Sequence, residues 1–239
     1  MRPIRREEPA FQEYETGKKP MRILGITGGV GAGKSRLLDF LREHYGARVF
    51  QADEAGHQVM EPGTAAYEEI VSLFGREILR SDKRVDRQAL GALVFFDAAK
   101  RKALNGIVHP AVKELAREAV AEAEREGNVP LFVIEAALLI EDHYEEICDE
   151  LWYVYADQNV RRERLKSSRG YTQEKISAIF ESQLSEEEFR RHCQVLIDNS
   201  GSFEETIRQT KGLLEKSFQT GSKLSGDGAE KDRRGEQKI

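Results

Sequence analysis

Long hydrophobic runs are missing from this chain of 239 residues. The longest apolar stretch, residues 131–140, is broken by Glu135 and is too short to cross a bilayer. The first residues lack the basic, apolar and small-residue succession of a secretory leader. A cytoplasmic protein with no membrane partner is expected. Cysteine is scarce: Cys148 and Cys193 are the only two, with no Cys-x-x-Cys and no His/Cys ligand spacing around them. That pattern offers neither a disulfide framework nor a zinc site, and both thiols read as small buried or half-buried residues. An excess of one charge is also lacking. Lys and Arg total 37 against 42 Asp and Glu, a formal net charge of −5, so no global basic field calls for nucleic acid or an anionic membrane. No internal repeat is present, and a monomer is favoured.

What the chain does have is a 39% hydrophobic content, enough for one large domain or a core with an inserted lobe. Residues 1–20 are charge-rich without an apolar period, and residues 219–239 mix Gly, Ser and alternating charges. Both segments are expected to be disordered. Between them, residues 21–218 form the expected domain. It opens with a buried strand at 22–27, a glycine turn, a helix at 34–43 with Leu37, Leu38, Phe40 and Leu41 at helical spacing, and a second strand at 48–51.

Residues 64–127 change character and read as a helical lobe. Tyr67, Ile70, Val71 and Phe74 share one face before Gly75, and a helix is predicted at 110–126 with Pro110 in its first position and Gly127 ending it. Strand-type runs return at 131–136, 151–155 and 195–197. Thr172 can cap a helix, and Ser185 with Glu188 and Ser202 with Glu205 match capping boxes. About five strands joined by helical crossovers predict an α/β fold, a three-layer doubly wound sheet with parallel strands.

The strongest chemical signal is Gly28-Gly-Val-Gly-Ala-Gly33-Lys34-Ser35, which fits GxxxxGK[ST] between a predicted strand and a predicted helix. Glycines let backbone N–H groups wrap phosphates, and the helix N-terminus adds its positive dipole. Lys34 can reach the β and γ phosphates, and the Ser35 hydroxyl suits Mg²⁺. A dinucleotide fingerprint fails, because Lys34 and Arg36 stand where its last glycine is needed. A kinase, a GTPase and a motor-type ATPase remain open. The guanine-reading Asn-Lys-x-Asp is absent. Glu135, at the end of a hydrophobic strand, keeps the ATPase option alive.

Three further groups stand out. Asp53 follows the second strand, where it suits a general base or, equally, the N-cap of a helix at 55–60. Arg161, Arg162, Arg164 and Arg169 crowd the segment after the 151–155 strand, either as a solvated basic face or as cations around a transferring phosphoryl group. Asn199 reads equally as part of an adenine pocket or as a turn residue before Gly201.

The ordered set Ile26-Thr-Gly-Gly-Val-Gly-Ala-Gly-Lys-Ser35, Ala52-Asp53, Glu61-Pro-Gly63, Phe74-Gly75, Asp86-Arg87, His109-Pro110, Leu138-Leu-Ile-Glu141, Arg164-Leu165, Gln183 and Ile197-Asp-Asn199 resembles the dephospho-CoA kinase family over nearly all of residues 21–218. Four positions depart from the family pattern. Gln51 replaces the first Asp of Asp-Ala-Asp, Ala137 a Pro, and Arg36 a common Thr. Ser168 occupies the aligned place of a second lid arginine, beside Arg169.

The resemblance implies a P-loop NTPase fold with a helical acceptor-binding lobe at 64–127 and a helical lid at 157–185. The implied reaction is transfer of the ATP γ-phosphate to the ribose 3′-hydroxyl of dephospho-CoA, with Mg²⁺, in the last step of coenzyme A synthesis. The catalytic residues would be Lys34, Asp53 and Arg164. Gly28, Gly29, Val30, Gly31, Ala32, Gly33, Lys34, Ser35, Arg36, Arg161, Arg169 and Asn199 would hold ATP. Asp53, His109 and Glu141 would face the acceptor, and Glu135 could join Ser35 near the metal. The rivals are a kinase of another small nucleoside or nucleotide, and a nucleotide-gated switch without an acceptor.

Overall fold

A computed structural model describes the backbone of residues 21–220 and the side chains of residues 21–215. The expected disorder of 1–20 and of 221–239 lies outside those residues. Strand β1 (Arg22–Thr27) leads through a glycine loop into helix α1 (Lys34–Tyr45), and β2 (Arg48–Gln51) runs without a break into α2 (Ala52–Gln58). Three helices follow, α3 (Ala65–Phe74), α4 (Arg87–Phe95) and α5 (Ala98–Glu126). The chain then returns to β3 (Leu131–Glu135) and β4 (Glu150–Tyr155), passes through α6 (Gln158–Arg169), α7 (Gln173–Glu181) and α8 (Glu186–His192), and ends with β5 (Val195–Asp198) and α9 (Phe203–Thr220). Helix α9 thus takes in Gln219 and Thr220, two residues that the composition assigned to the tail.

The five strands form one sheet in the order β2-β3-β1-β4-β5. Every pairing is parallel. Parallel strands are buried on both faces, and the side chains divide accordingly by alternation. Leu24, Ile26, Leu131, Val133, Trp152 and Val154 pack on one face with Leu37, Leu38 and Leu41 of α1 and Leu214 of α9. Ile23, Phe132, Ile134 and Leu151 pack on the other, under Ala116, Val120 and Ala123 of α5. The three-layer expectation therefore holds. The small residues of α5 let that long helix lie close on the sheet.

The lobe has its own core of Tyr67, Ile70, Phe74, Ile78, Val85 and Leu90. It joins the sheet through Ala55 of α2 and Val59 just past its end, against Ala66 and Val112. Thr64 caps α3 by accepting from the Tyr67 N–H, as Asp86 caps α4.

One boundary differs from the sequence reading. Helix α5 begins at Ala98, not at Pro110, because Asp97 accepts the Lys100 N–H and caps it twelve residues earlier. Pro110 sits in the helix interior. The carbonyl it leaves without a partner is that of Gly106, on an exposed turn where solvent can take the bond.

Candidate active site

Because all five strands run the same way, their carboxyl ends lie along one edge, and the crevice outside that edge is where an open α/β sheet gathers ligands. A cleft of about 550 Å³ opens there. Its floor is the loop between β1 and α1. Gly28 takes φ 144°, and an added Cβ would strike the Val154 carbonyl of β4. Gly33 takes φ 92° and an added Cβ would meet the Asn199 amide, so a side chain at either place is excluded by both strain and space. The loop's shape thus depends on its neighbours as much as on its own glycines.

Lys34 Nζ donates to the Gly28 carbonyl at 2.7 Å and lies 3.5 Å from Glu135 Oε1. Burial pushes its ammonium below the usual lysine range, against the pull of Glu135 and Asp53. Glu135 ends β3, paired in register with Ile26 of β1 and Gln51 of β2, which fixes it beside the loop. Asp53 enters the same cleft from the first turn of α2. The N-cap of α2 is Gln51, without a side-chain hydrogen bond, so the capping alternative for Asp53 is not what forms. Asp53 is exposed to the cleft, free to meet a ligand.

Helix α6 brings the cations. Arg164 donates to the Asn199 carbonyl at 2.8 Å and to the Ala32 carbonyl at 3.4 Å. Burial, then the charge of Arg36, pushes its guanidinium below the usual range. Arg161 stands behind the loop. Its Nε donates to the Val30 carbonyl at 2.9 Å, another nitrogen donates to Gln183 Oε1 at 2.5 Å, and its guanidinium lies 4.3 Å over the Phe180 ring. Arg161 therefore braces the loop rather than lining the cleft. Arg169 does line it, as does Ser168, whose hydroxyl turns back to the Arg164 carbonyl at 2.6 Å.

Gly29, Val30, Gly31, Gly33, Ser35 and Arg36 join Lys34, Asp53, Glu135 and Asn199 in the lining. Asn199 has its side chain already engaged. Its amide donates to the Ala32 carbonyl at 2.6 Å and its oxygen accepts the Thr206 hydroxyl at 2.8 Å, so this buried side chain ties β5 to the loop. His109 and Glu141 are not in the cleft lining. His109 Nδ1 lies 2.9 Å from Asp142 Oδ1, linking α5 to the loop after β3. Burial, then neighbouring Asp142 and Glu188, raises the Glu141 carboxyl above its usual range.

Two features escaped the sequence reading. Phe203, at the start of α9, lines the cleft with the Arg36 guanidinium 3.9 Å over its ring. Nothing in the local pattern connects residues so far apart in the chain. Gln51 also lines the cleft and accepts from Arg42 at 3.2 Å, so the family departure there still places a polar group at the end of β2. Both cysteines lie away from this chemistry, with burial pushing each thiol up to about 12.

Four cations (Lys34, Arg36, Arg164, Arg169) and two carboxylates (Asp53, Glu135) therefore share one crevice over a phosphate-cradling loop. That arrangement suits phosphoryl transfer, in which negative charge must be neutralised on one side and a hydroxyl oriented on the other.

Residues 22–205 match the profile of a family described as "Dephospho-CoA kinase". A relative of that name from Geobacter sulfurreducens is 39% identical over 198 residues, covering 83% of this chain and all of the relative. One from Symbiobacterium thermophilum is 40% identical over 191 residues, covering 80% of this chain and 79% of its own. Among solved structures, TT1252 from Thermus thermophilus is 33% identical with a TM-score of 0.70, over 83% of this chain and 98% of that one. A dephospho-CoA kinase from Campylobacter jejuni, 22% identical with a TM-score of 0.62 over 83% of this chain and 98% of its own, shares the fold.

Proposed function

The chain belongs to the dephospho-CoA kinase family, and from that premise we propose how its residues carry the γ-phosphoryl group of ATP to the ribose 3′-hydroxyl of dephospho-CoA. The enzyme is a phosphotransferase acting on dephospho-CoA, the substrate of the last step in coenzyme A synthesis. The observation that carries the residue assignment is the meeting of the phosphate loop, Asp53 and Arg164 in one cleft.

The N–H groups of Gly29 to Lys34 and the α1 terminus hold the phosphates, and Lys34 exchanges the Gly28 carbonyl for β and γ oxygens. Asp53 accepts the 3′-hydroxyl proton or holds the hydroxyl in line. The oxygen then bonds to the γ-phosphorus while the bond to the β,γ-bridging oxygen breaks, leaving ADP and CoA. Arg164 and Arg169 neutralise the charge that spreads over the equatorial oxygens. Arg161 and Asn199 keep the loop in shape, a supporting role in place of direct ATP contact. His109, on α5 of the lobe, and Glu141, in the loop after β3, lie outside the cleft lining, and we retain them as acceptor contacts at its margin.

Mg²⁺ prefers oxygen donors and keeps several waters beside one or two carboxylates and substrate phosphates. The Ser35 hydroxyl, with Asp53 and Glu135 in the same cleft, fits that preference. Bound there with ATP, the ion would draw charge from the β and γ oxygens. A cytoplasmic monomer belongs to the same proposal, supported by the lack, among the described residues, of a helix long and apolar enough to cross a membrane and by a cleft lined from one chain.

Mass spectrometry of the product formed from ATP, Mg²⁺ and dephospho-CoA tests the reading. The expected product is CoA, one phosphate heavier than the acceptor, with ADP formed in equal amount. ATP hydrolysis without a phosphorylated acceptor would overturn it in favour of a nucleotide switch.

A further inference from the structure

Side chains hold three carbonyls of the phosphate loop: Lys34 that of Gly28, Arg161 that of Val30 and Asn199 that of Ala32. Each of these side chains is itself held. Lys34 lies 3.5 Å from Glu135, and Asn199 accepts the Thr206 hydroxyl at 2.8 Å. Arg161 differs, because among the described residues its acceptors are all neutral. Burial pushes its guanidinium below the usual arginine range, against the pull of Tyr153 and Tyr155.

What holds Arg161 is the end of α7. Gln183 Oε1 accepts from the guanidinium at 2.5 Å, and the Phe180 ring lies under it at 4.3 Å. A turn in which the Gln183 N–H donates to the Phe180 carbonyl at 3.4 Å keeps those two side chains together. A guanidinium is a planar fork, so acceptors on two of its nitrogens and a ring on its face fix both its position and its plane. Gly29 packs against the same group, where an added Cβ would strike Arg161 Nη2. Being neutral, the Gln183 amide fixes the cation without cancelling its charge.

The consequence falls on one loop N–H. Across a planar trans peptide, a carbonyl and the following N–H point in opposite directions. Arg161 draws the Val30 carbonyl to the back of the loop, which turns the Gly31 N–H toward the cleft that Gly31 lines. No acceptor among the described residues takes that N–H. Neither Gln183 nor Phe180 lines the cleft. We propose that Gln183 is a positioning residue for the nucleotide, which acts through Arg161 to aim the Gly31 N–H at the phosphates. This deepens the functional reading and rests only on its nucleotide site.

Calorimetry of ATP binding, with no acceptor present, compares the parent with Gln183→Leu and repeats the comparison in an Arg161→Met background. Gln183→Leu should weaken ATP binding roughly tenfold, within the worth of one hydrogen bond from a charged donor. KM for dephospho-CoA at saturating ATP should stay within about twofold. In the Arg161→Met background the same substitution should change ATP affinity less than about twofold, because a residue acting through Arg161 has nothing left to position. Should Gln183→Leu fail to fold, Gln183→Asn, too short to reach the guanidinium, takes its place with the same expectations. Unchanged ATP affinity in the single variant overturns the assignment. So does an equal weakening in both backgrounds, which would show Gln183 acting by another route. A matched rise in both substrate constants would mean a general distortion and overturns it too. The parent's product mass is read separately: failure to make CoA would remove the phosphotransfer reading and leave the ATP result standing.

Discussion

The two halves of the cleft are built by opposite means. On the nucleotide side, backbone does the work: glycines in left-handed or sterically closed positions, a helix terminus, and braces from Arg161, Arg164 and Asn199 to the loop carbonyls. On the side proposed for the acceptor, the side chains of α2 and the lobe are exposed, over a separate small core. The difference teaches where damage should appear. Changes on the nucleotide side should couple chemistry to stability, because the same hydrogen bonds serve both. Changes on the acceptor side should alter turnover or acceptor affinity while the fold remains.

The hardest test of that contrast is Lys34→Ala. Loss of the loop ammonium should cut kcat by on the order of a hundredfold or more. The melting temperature should fall as well, because the same ammonium donates to the Gly28 carbonyl and pairs with Glu135, and the relief of its burial offsets only part of that loss. Near-normal turnover by the folded variant would remove Lys34 from the mechanism.

Asp53→Asn probes the acceptor side with a nearly isosteric change. Turnover should fall by roughly 10²–10⁴ while calorimetry shows ATP affinity retained. Asp53 makes no capping bond, so stability should change by no more than a few tenths of a kcal/mol, about what a cap-neutral surface substitution costs. CoA formed at the parent rate would shift the orienting role to another residue, with Glu135 the next to substitute.

Asn199→Ala returns to the nucleotide side and should do the reverse. Removing a buried amide that bonds the Ala32 carbonyl and Thr206 should destabilise by about 2 kcal/mol, since a buried group loses its partner. In a domain of this size that is a fall of roughly 4–8 °C in melting temperature. KM for ATP should rise with it. Loss of ATP affinity without loss of stability would instead restore Asn199 as a direct nucleotide contact.

The smallest effect concerns Glu141, at the margin between the halves. Its carboxyl is raised in the folded protein, first by burial, so the native state holds that proton more tightly than the unfolded chain does. This contribution to stability is complete below the unfolded value of 4.5 and is lost as pH rises through the raised one. Melting temperatures of the parent and Glu141→Gln, followed upward from pH 4, should therefore diverge in slope, the parent losing more. Parallel curves would mean that the carboxyl is not perturbed.

Legibility followed the same divide. The loop was readable because its chemistry is local: GxxxxGK[ST] between a strand and a helix brings phosphate donors together whatever surrounds it. The strands were readable because burial on both faces leaves continuous apolar runs such as 131–134. Pro110 misled, since proline favours a first turn, but Asp97 was an available signal for the earlier start of α5. Asp53 read equally as a cap until the helix was seen to begin one residue before it. Arg36 on Phe203, Asn199 on the loop and His109 on Asp142 join residues far apart in the chain, and no local spacing encodes them.

By itself, the sequence determined the layer pattern, the phosphate loop and the supply of arginines and carboxylates, because periodicity and short motifs act over a few residues. Tertiary structure decided which of those side chains meet. Strand register set Glu135 beside Lys34, and the docking of α6 turned Arg161 into a brace and Arg164 toward the cleft. The path of α2 laid Asp53 into that cleft, since only packing among distant elements places charges within reach of one another.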